Sequence, residues 1–208
     1  MSAAAFERAL EQQLLLPILR MDDAGVCLGF ARTLAANGFG LLEITLDTPD
    51  ACGLIAQLAA EEVWIGAGTV ITAADAEVAL EHGARFLVSP GLNPEVAQVA
   101  ASAGVPYLPG VLSPSEAMQA LALGLKLLKL FPASLGGPAY LQQLKGPFPQ
   151  LRWLVTGGVR LEDLPDWRRA GALAIGYGPR LVSARHLQSH DWNAVAAELG
   201  AIRQKLDT

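Results

Sequence analysis

Leu125-Lys126-Leu127-Leu128-Lys129-Leu130-Phe131-Pro132-Ala133 is an apolar run with a lysine set into its middle. It reads as a buried β-strand. Lysine is among the residues least often buried, because stripping water from its ammonium group is costly. A chain that places Lys129 between Leu128 and Leu130 either pairs it with an anion or uses it. Burial also lowers a lysine's pKa and leaves an amine able to attack carbonyl compounds.

Working outward, the same kind of run recurs. Candidate strands cover residues 14–19, 40–46, 63–67, 86–88, 106–108, 126–131, 152–155 and 173–175. Amphipathic, alanine- and leucine-rich segments lie between them, among them 24–37, 49–60, 72–82, 94–103 and 114–123, and a last one covers 191–205. Asn93-Pro94 and Ser113-Pro114 place a capping residue before a first-turn proline. Gly38, Gly83, Gly104, Gly124 and Gly171 mark helix ends. Eight strand–helix pairs predict one parallel sheet closed into a (β/α)8 TIM barrel, a single domain over residues 1–208 and short for a fold of typically ~250 residues. An open doubly wound sheet fits less well. Gly66-Ala67-Gly68 follows a strand but lacks the third glycine of a dinucleotide fingerprint, and no suitably placed acid follows.

Composition narrows the function classes. The 208 residues are 52% hydrophobic and 17% charged, with a net charge of −5. No basic stripe points to nucleic acid, and no apolar run approaches the roughly 18 residues of a membrane span. Strands buried on both faces and an oligomer interface account for the apolar surplus. Glu7, Arg8 and Glu11 interrupt any signal-peptide core, so the expected location is cytoplasmic. Cys27 and Cys52 read as small apolar residues of a reducing compartment. His82, His186 and His190 lack metal-ligand spacing, so no metal is expected.

In a barrel the chemistry gathers at the C-terminal ends of the strands. Alternation puts Leu41, Glu43 and Thr45 on one face and Leu42, Ile44 and Leu46 on the other. The aliphatic face should meet the helices, so Glu43 points inward. By the same parity Leu127, Lys129 and Phe131 point inward, and Lys126, at the strand's start, is solvated. An inward amine and an inward carboxylate at one mouth form either a structural ion pair or the minimum set for Schiff-base chemistry with a ketone. Gly157-Gly158 and Gly176 with Gly178 lie after the seventh and eighth strands, where barrels commonly hold phosphate. Glycines there also serve simply to allow tight turns.

Six motifs occur in order: Leu42-Glu43-Ile44-Thr45-Leu46, Gly66-Ala67-Gly68-Thr69-Val70, Ser89-Pro90-Gly91, Pro109-Gly110-Val111, Leu128-Lys129-Leu130-Phe131-Pro132-Ala133 and Thr156-Gly157-Gly158-Val159. Together they resemble the 2-keto-3-deoxy-6-phosphogluconate / 4-hydroxy-2-oxoglutarate aldolase family, which includes the similar 2-keto-3-deoxy-6-phosphogalactonate aldolases. The resemblance runs from about Leu14 to Val182. It implies a cofactor-free, metal-independent class I aldolase acting on a small 2-keto acid, usually as a homotrimer. It also implies roles for individual residues. Lys129 matches the Schiff-base lysine and Glu43 the general acid/base. Thr69 matches the threonine on the pyruvyl carboxylate, and Phe131 and Pro90 the walls of that pocket. Gly158 and Gly178 match the glycines whose amides hold phosphate, with Gly157 in the same turn. Arg20 matches a substrate-contacting arginine of the galactonate branch. Thr156 matches the position linked to C4 preference, where threonine is similar to the gluconate branch.

Two departures bear on the substrate. Asp47 stands where many gluconate-branch members carry an arginine, and an aspartate there would repel a carboxylate, leaving Arg20 to bind it alone. Pro179 stands where relatives often offer a serine hydroxyl to phosphate; Arg180 beside it could compensate with a charge-assisted contact, and Tyr177 could border the site. The Gly136-Gly137-Pro138-Ala139-Tyr140 segment is similar to the galactonate branch. The readings left open are the phosphorylated gluconate acid, its galactonate epimer, 4-hydroxy-2-oxoglutarate, a non-catalytic keto-acid-binding barrel, and a barrel isomerase or decarboxylase acting on a phosphorylated substrate without an imine.

Overall fold

Nine parallel strand segments, each but one pair joined through helical turns, form the sheet of the computed structural model, which describes residues 2–206 without the side chain of Pro179. The strands are β1 (Leu15–Leu19), β2 (Leu41–Thr45), β3 (Trp64–Gly68), β4 (Leu87–Val88), β5 (Tyr107–Leu108), β6 (Gly110–Val111), β7 (Leu127–Leu130), β8 (Arg152–Thr156) and β9 (Ala174–Tyr177). Their order is β5-β4-β3-β2-β1-β9-β8-β7-β6. The expected fifth strand is therefore longer than residues 106–108 and is split at Pro109. Proline has no N–H to give a ladder and interrupts the pairing for one residue. Hydrogen bonds still run on both sides of this segment. Gly110 N donates to Ser89 O at 3.1 Å and Lys129 N donates to Pro109 O at 2.9 Å. The ring thus closes as the expected barrel.

Helices cover the outside. Leu42 and Ile44 of β2, Leu128 and Leu130 of β7, and Trp153 and Val155 of β8 pack into the layer between sheet and helices. The capping signals hold. Asn93 and Ser113 cap the helices Pro94–Ala103 and Pro114–Ala122, and Ser113 forms a reciprocal box with Glu116. Gly104 and Gly171 end their helices at φ 66° and 96°, a left-handed conformation that costs glycine little. Lys126 is exposed, as its parity requires.

A helix the periodicity did not signal, α1 (Ala3–Gln13), closes the N-terminal end of the barrel. Its Phe6 and Leu10, one turn apart, are completely buried among the inward strand residues Leu16, Leu41, Leu108 and Leu154 and beside Phe86, which immediately precedes β4. The rings of Phe6 and Phe86 meet at 4.6 Å, and Gly66 makes the room, since a Cβ there would overlap the Phe86 ring. Gln13 fastens the helix to the barrel rim. Its amide donates to the carbonyls of Leu15 (2.7 Å) and Leu41 (2.8 Å), and its oxygen accepts from Leu41 N (3.0 Å). A buried glutamine is tolerated because these polar atoms are satisfied.

Candidate active site

The inward columns that are aliphatic at the N-terminal end become polar toward the C-terminal end. In β2 the column runs Leu41, Glu43, Thr45; in β7 it runs Leu127, Lys129 and, just past the strand, Phe131. They open into a cavity of about 660 Å³ at the C-terminal face. All ten site residues expected from the sequence line it: Arg20, Glu43, Thr69, Pro90, Lys129, Phe131, Thr156, Gly157, Gly158 and Gly178. Tyr177 and Arg180 line it too. Val159, quoted only within its motif, also lines the wall, as do Ile18 and Arg160, which sequence reasoning did not single out. Ile18 shares the inward parity of Leu16, but Arg160 sits in a loop, where alternation says nothing.

Lys129 is 6% exposed and Glu43 1% exposed. Burial lowers the Lys129 pKa; the carboxylate of Glu43 works against this and Arg20 adds to it. Burial raises the Glu43 pKa, and the charges of Lys129 and Arg20 only partly offset it. Each group is thus driven toward its neutral form, a free amine and a protonated acid. Lys129 Nζ lies 4.9 Å from the centre of the Phe131 ring. Glu43 fits because β3 has no side chain in its way: a Cβ on Gly68 would overlap the carboxylate. Glu43 Oε2 and Thr156 Oγ1 are both buried without a hydrogen-bond partner among the described residues. Buried polar atoms are rarely left this way, and here both line the cavity.

At the rim, Arg20 follows β1 and reaches across two strands. Its Nη2 donates to Thr69 Oγ1 at 2.8 Å, and its Nε pairs with Asp47 at 3.0 Å. Asp47 therefore holds the arginine rather than standing alone against a carboxylate. Asp47's carboxyl is below its ordinary value: burial alone would raise it, and the Thr45 hydrogen bond and Arg20 outweigh that. Thr69 adopts φ 58°, an unfavourable conformation for a β-branched residue, and such strain concentrates at functional sites. The two glycines after β8 also turn left-handed, at φ 92° for Gly157 and 72° for Gly158.

Cys27 is a buried free thiol whose pKa burial pushes up to about 12, and Cys52 is also free. His186 pairs with Glu198 at 2.5 Å, tying two C-terminal helices together. No helix among the described residues is long and apolar enough to cross a membrane.

Comparison with known proteins agrees with this geometry. The sequence model of the family "Aldolase: KDPG and KHG aldolase" matches residues 6–198. A 2-dehydro-3-deoxy-phosphogluconate aldolase of Pseudomonas aeruginosa is 39% identical over 184 residues, 87% of this chain and 84% of that protein. A KHG/KDPG aldolase of Escherichia coli K12 is 34% identical over 182 residues, 86% of this chain and 85% of that one. A crystal structure of KDPG aldolase from Legionella pneumophila, with pyruvate captured as a covalent carbinolamine, superposes with a TM-score of 0.86 at 30% identity, covering 94% of this chain and 97% of that one. The fold, the polar mouth and these relatives lead to one conclusion: the chain belongs to the KDPG and KHG aldolase family.

Proposed function

We propose that this protein is a class I aldolase that cleaves 2-keto-3-deoxy-6-phosphogluconate to pyruvate and glyceraldehyde 3-phosphate. The observation that carries the reading is the buried pair, Lys129 and Glu43, in one cavity, with burial favouring the neutral form of each. The free amine of Lys129 attacks the C2 ketone to give a carbinolamine. Glu43, as the acid, protonates the departing hydroxyl, water leaves, and a protonated imine remains. Glu43, now a carboxylate, takes the proton of the C4 hydroxyl. The C3–C4 bond breaks, its electrons flow into the imine, and the aldehyde departs. The proton held by Glu43 goes to C3 of the enamine, and water hydrolyses the imine to release pyruvate and Lys129.

The rest of the cavity supports the assignment. Arg20 and Thr69, already linked to each other, offer donors to the substrate carboxylate. Pro90 and Phe131 wall the pyruvyl methyl group. Thr156 Oγ1 remains available for the C4 hydroxyl, and the family resemblance associates a threonine there with the gluconate epimer. The glycine turns of Gly157, Gly158 and Gly178 present backbone amides to the phosphate. On the family resemblance we assign a homotrimer; exposed apolar side chains such as Ile71, Met118 and Leu135, at 57, 61 and 71% exposure, are available to subunit contacts. The test is borohydride reduction in the presence of pyruvate. Wild type should gain the mass of a reduced pyruvyl adduct and Lys129→Ala should not; an adduct on Lys129→Ala would move the chemistry to another residue.

4-Hydroxy-2-oxoglutarate is the second substrate we infer: it carries the same C1 carboxylate and C2 ketone for Arg20, Thr69 and Lys129, and a relative that is 34% identical is a KHG/KDPG aldolase.

A further inference from the structure

Two arginines stand at the cavity end where the glycine turns lie. Arg160 follows Gly157-Gly158-Val159 after β8, and Arg180 follows Gly178 after β9; both line the cavity. Arg160 is held in place. Its Nη2 donates to Asp163 Oδ1 at 2.7 Å and its Nε to Oδ2 at 3.0 Å. A guanidinium has five N–H donors, so three remain for another anion. The opposite end of the cavity is different. Among the described residues it holds a single arginine, Arg20, which pairs with Asp47 as Arg160 pairs with Asp163 and also donates to Thr69. The floor pair is driven toward neutrality. Two of the three arginines that line the cavity therefore stand beside the glycine turns. Pro179 brings no N–H and no hydroxyl to that turn, and a planar fork of donors is well matched to a phosphoryl group.

We propose that Arg160 and Arg180 together form a phosphate clamp that sets this enzyme's preference for phosphorylated substrates, with Asp163 as the positioning residue for Arg160. The proposal rests on the aldolase reading above and deepens it, by naming the residues that select the phosphorylated acid.

The experiment compares kcat/KM for 2-keto-3-deoxy-6-phosphogluconate with kcat/KM for its unphosphorylated counterpart. It uses wild type, Arg160→Ala, Arg180→Ala and the double variant. The ratio should fall about tenfold or more for each single variant and further for the double, as expected for losing a charged hydrogen bond. Asp163→Asn should raise KM for the phosphorylated acid several-fold while leaving kcat in place, a split that a general loss of folded protein would not produce. A double variant that keeps the ratio within about threefold of wild type, while still forming the borohydride-trapped pyruvate adduct, overturns the clamp and leaves the aldolase reading standing. A wild type that forms no adduct overturns both.

Discussion

The two ends of the barrel interior are built from the same strands and do opposite work. At the N-terminal end, Leu16, Leu41, Leu108 and Leu154 pack against Phe6 and Leu10 of α1 and form an apolar plug. One inward position further along each strand, the residues are Ile18, Glu43, Gly110 and Thr156, and on β7 Leu127 gives way to Lys129. A separation of two residues, about 6.6 Å along a strand, turns packing into chemistry. The plug teaches why the mouth can hold strained and unpaired groups. The apolar burial that stabilises the barrel is concentrated elsewhere, so the active end can bury Glu43 and Lys129 and hold Thr69 at a positive φ.

The contrast is sharpest between Leu41 and Glu43, on one strand and one column. Glu43→Gln should lower kcat by about 10²- to 10⁴-fold, the usual worth of a positioned acid/base. It should also stabilise the protein in a pH-dependent way. Burial raises the pKa of Glu43 above its ordinary 4.5, so the folded chain holds a proton that the unfolded chain releases. The stability tied to that proton is full below pH 4.5 and is lost as pH rises through the folded value. Glutamine has no such proton, so Glu43→Gln should gain on wild type as pH rises above 4.5 and match it below. Leu41→Ala should do the reverse, losing about 2–5 kcal/mol while the folded fraction keeps its kcat. Denaturant melts across pH, paired with single-turnover assays, read both; equal kcat losses in the two variants would break the contrast.

A subtler break comes through Gly68. Alanine there would press on the carboxylate of Glu43 without removing it. We expect kcat to fall roughly 10- to 100-fold, as a misplaced catalytic group costs. The Lys129 adduct should still be trapped with pyruvate, as mass spectrometry can show. The smallest effect should come from Thr69. Thr69→Gly relieves the backbone strain at φ 58° and should stabilise by about 1 kcal/mol. It removes the hydroxyl that receives Arg20, so KM for the keto acid should rise a few-fold with kcat little changed. A thermal melt and a saturation curve check the two signs.

Alternation explains how much of this was legible in sequence. Once residues 40–46 and 126–131 read as strands, parity alone put Glu43 and Lys129 inward and Lys126 outward, and strand ends located the glycine turns. The gluconate and galactonate signals at Thr156 and Arg20 needed the family resemblance. What stayed hidden was what parity does not reach. α1 carries only two apolar core residues, Phe6 and Leu10, whose partners are spread along the chain from Leu16 to Leu154, so its own sequence gives a weak pattern. Pro109 looked like the end of a strand because its lost N–H is local, while the bonds that carry the strand past it come from Ser89 and Lys129 neighbours in space. Arg160 lies in a loop whose path is set by two left-handed glycines, and Asp47 read as a repulsive charge until its pairing with Arg20 was seen.

Gly68 has a consequence for how this enzyme can diversify. The volume of the Glu43 carboxylate is taken from the backbone of the neighbouring strand, so positions 43 and 68 form one steric unit. A variant that gains a side chain at 68 must displace or shorten its acid. Searches for new aldehyde specificities therefore have freedom at the rim, around residues 156–160 and 177–180, and almost none at this pair.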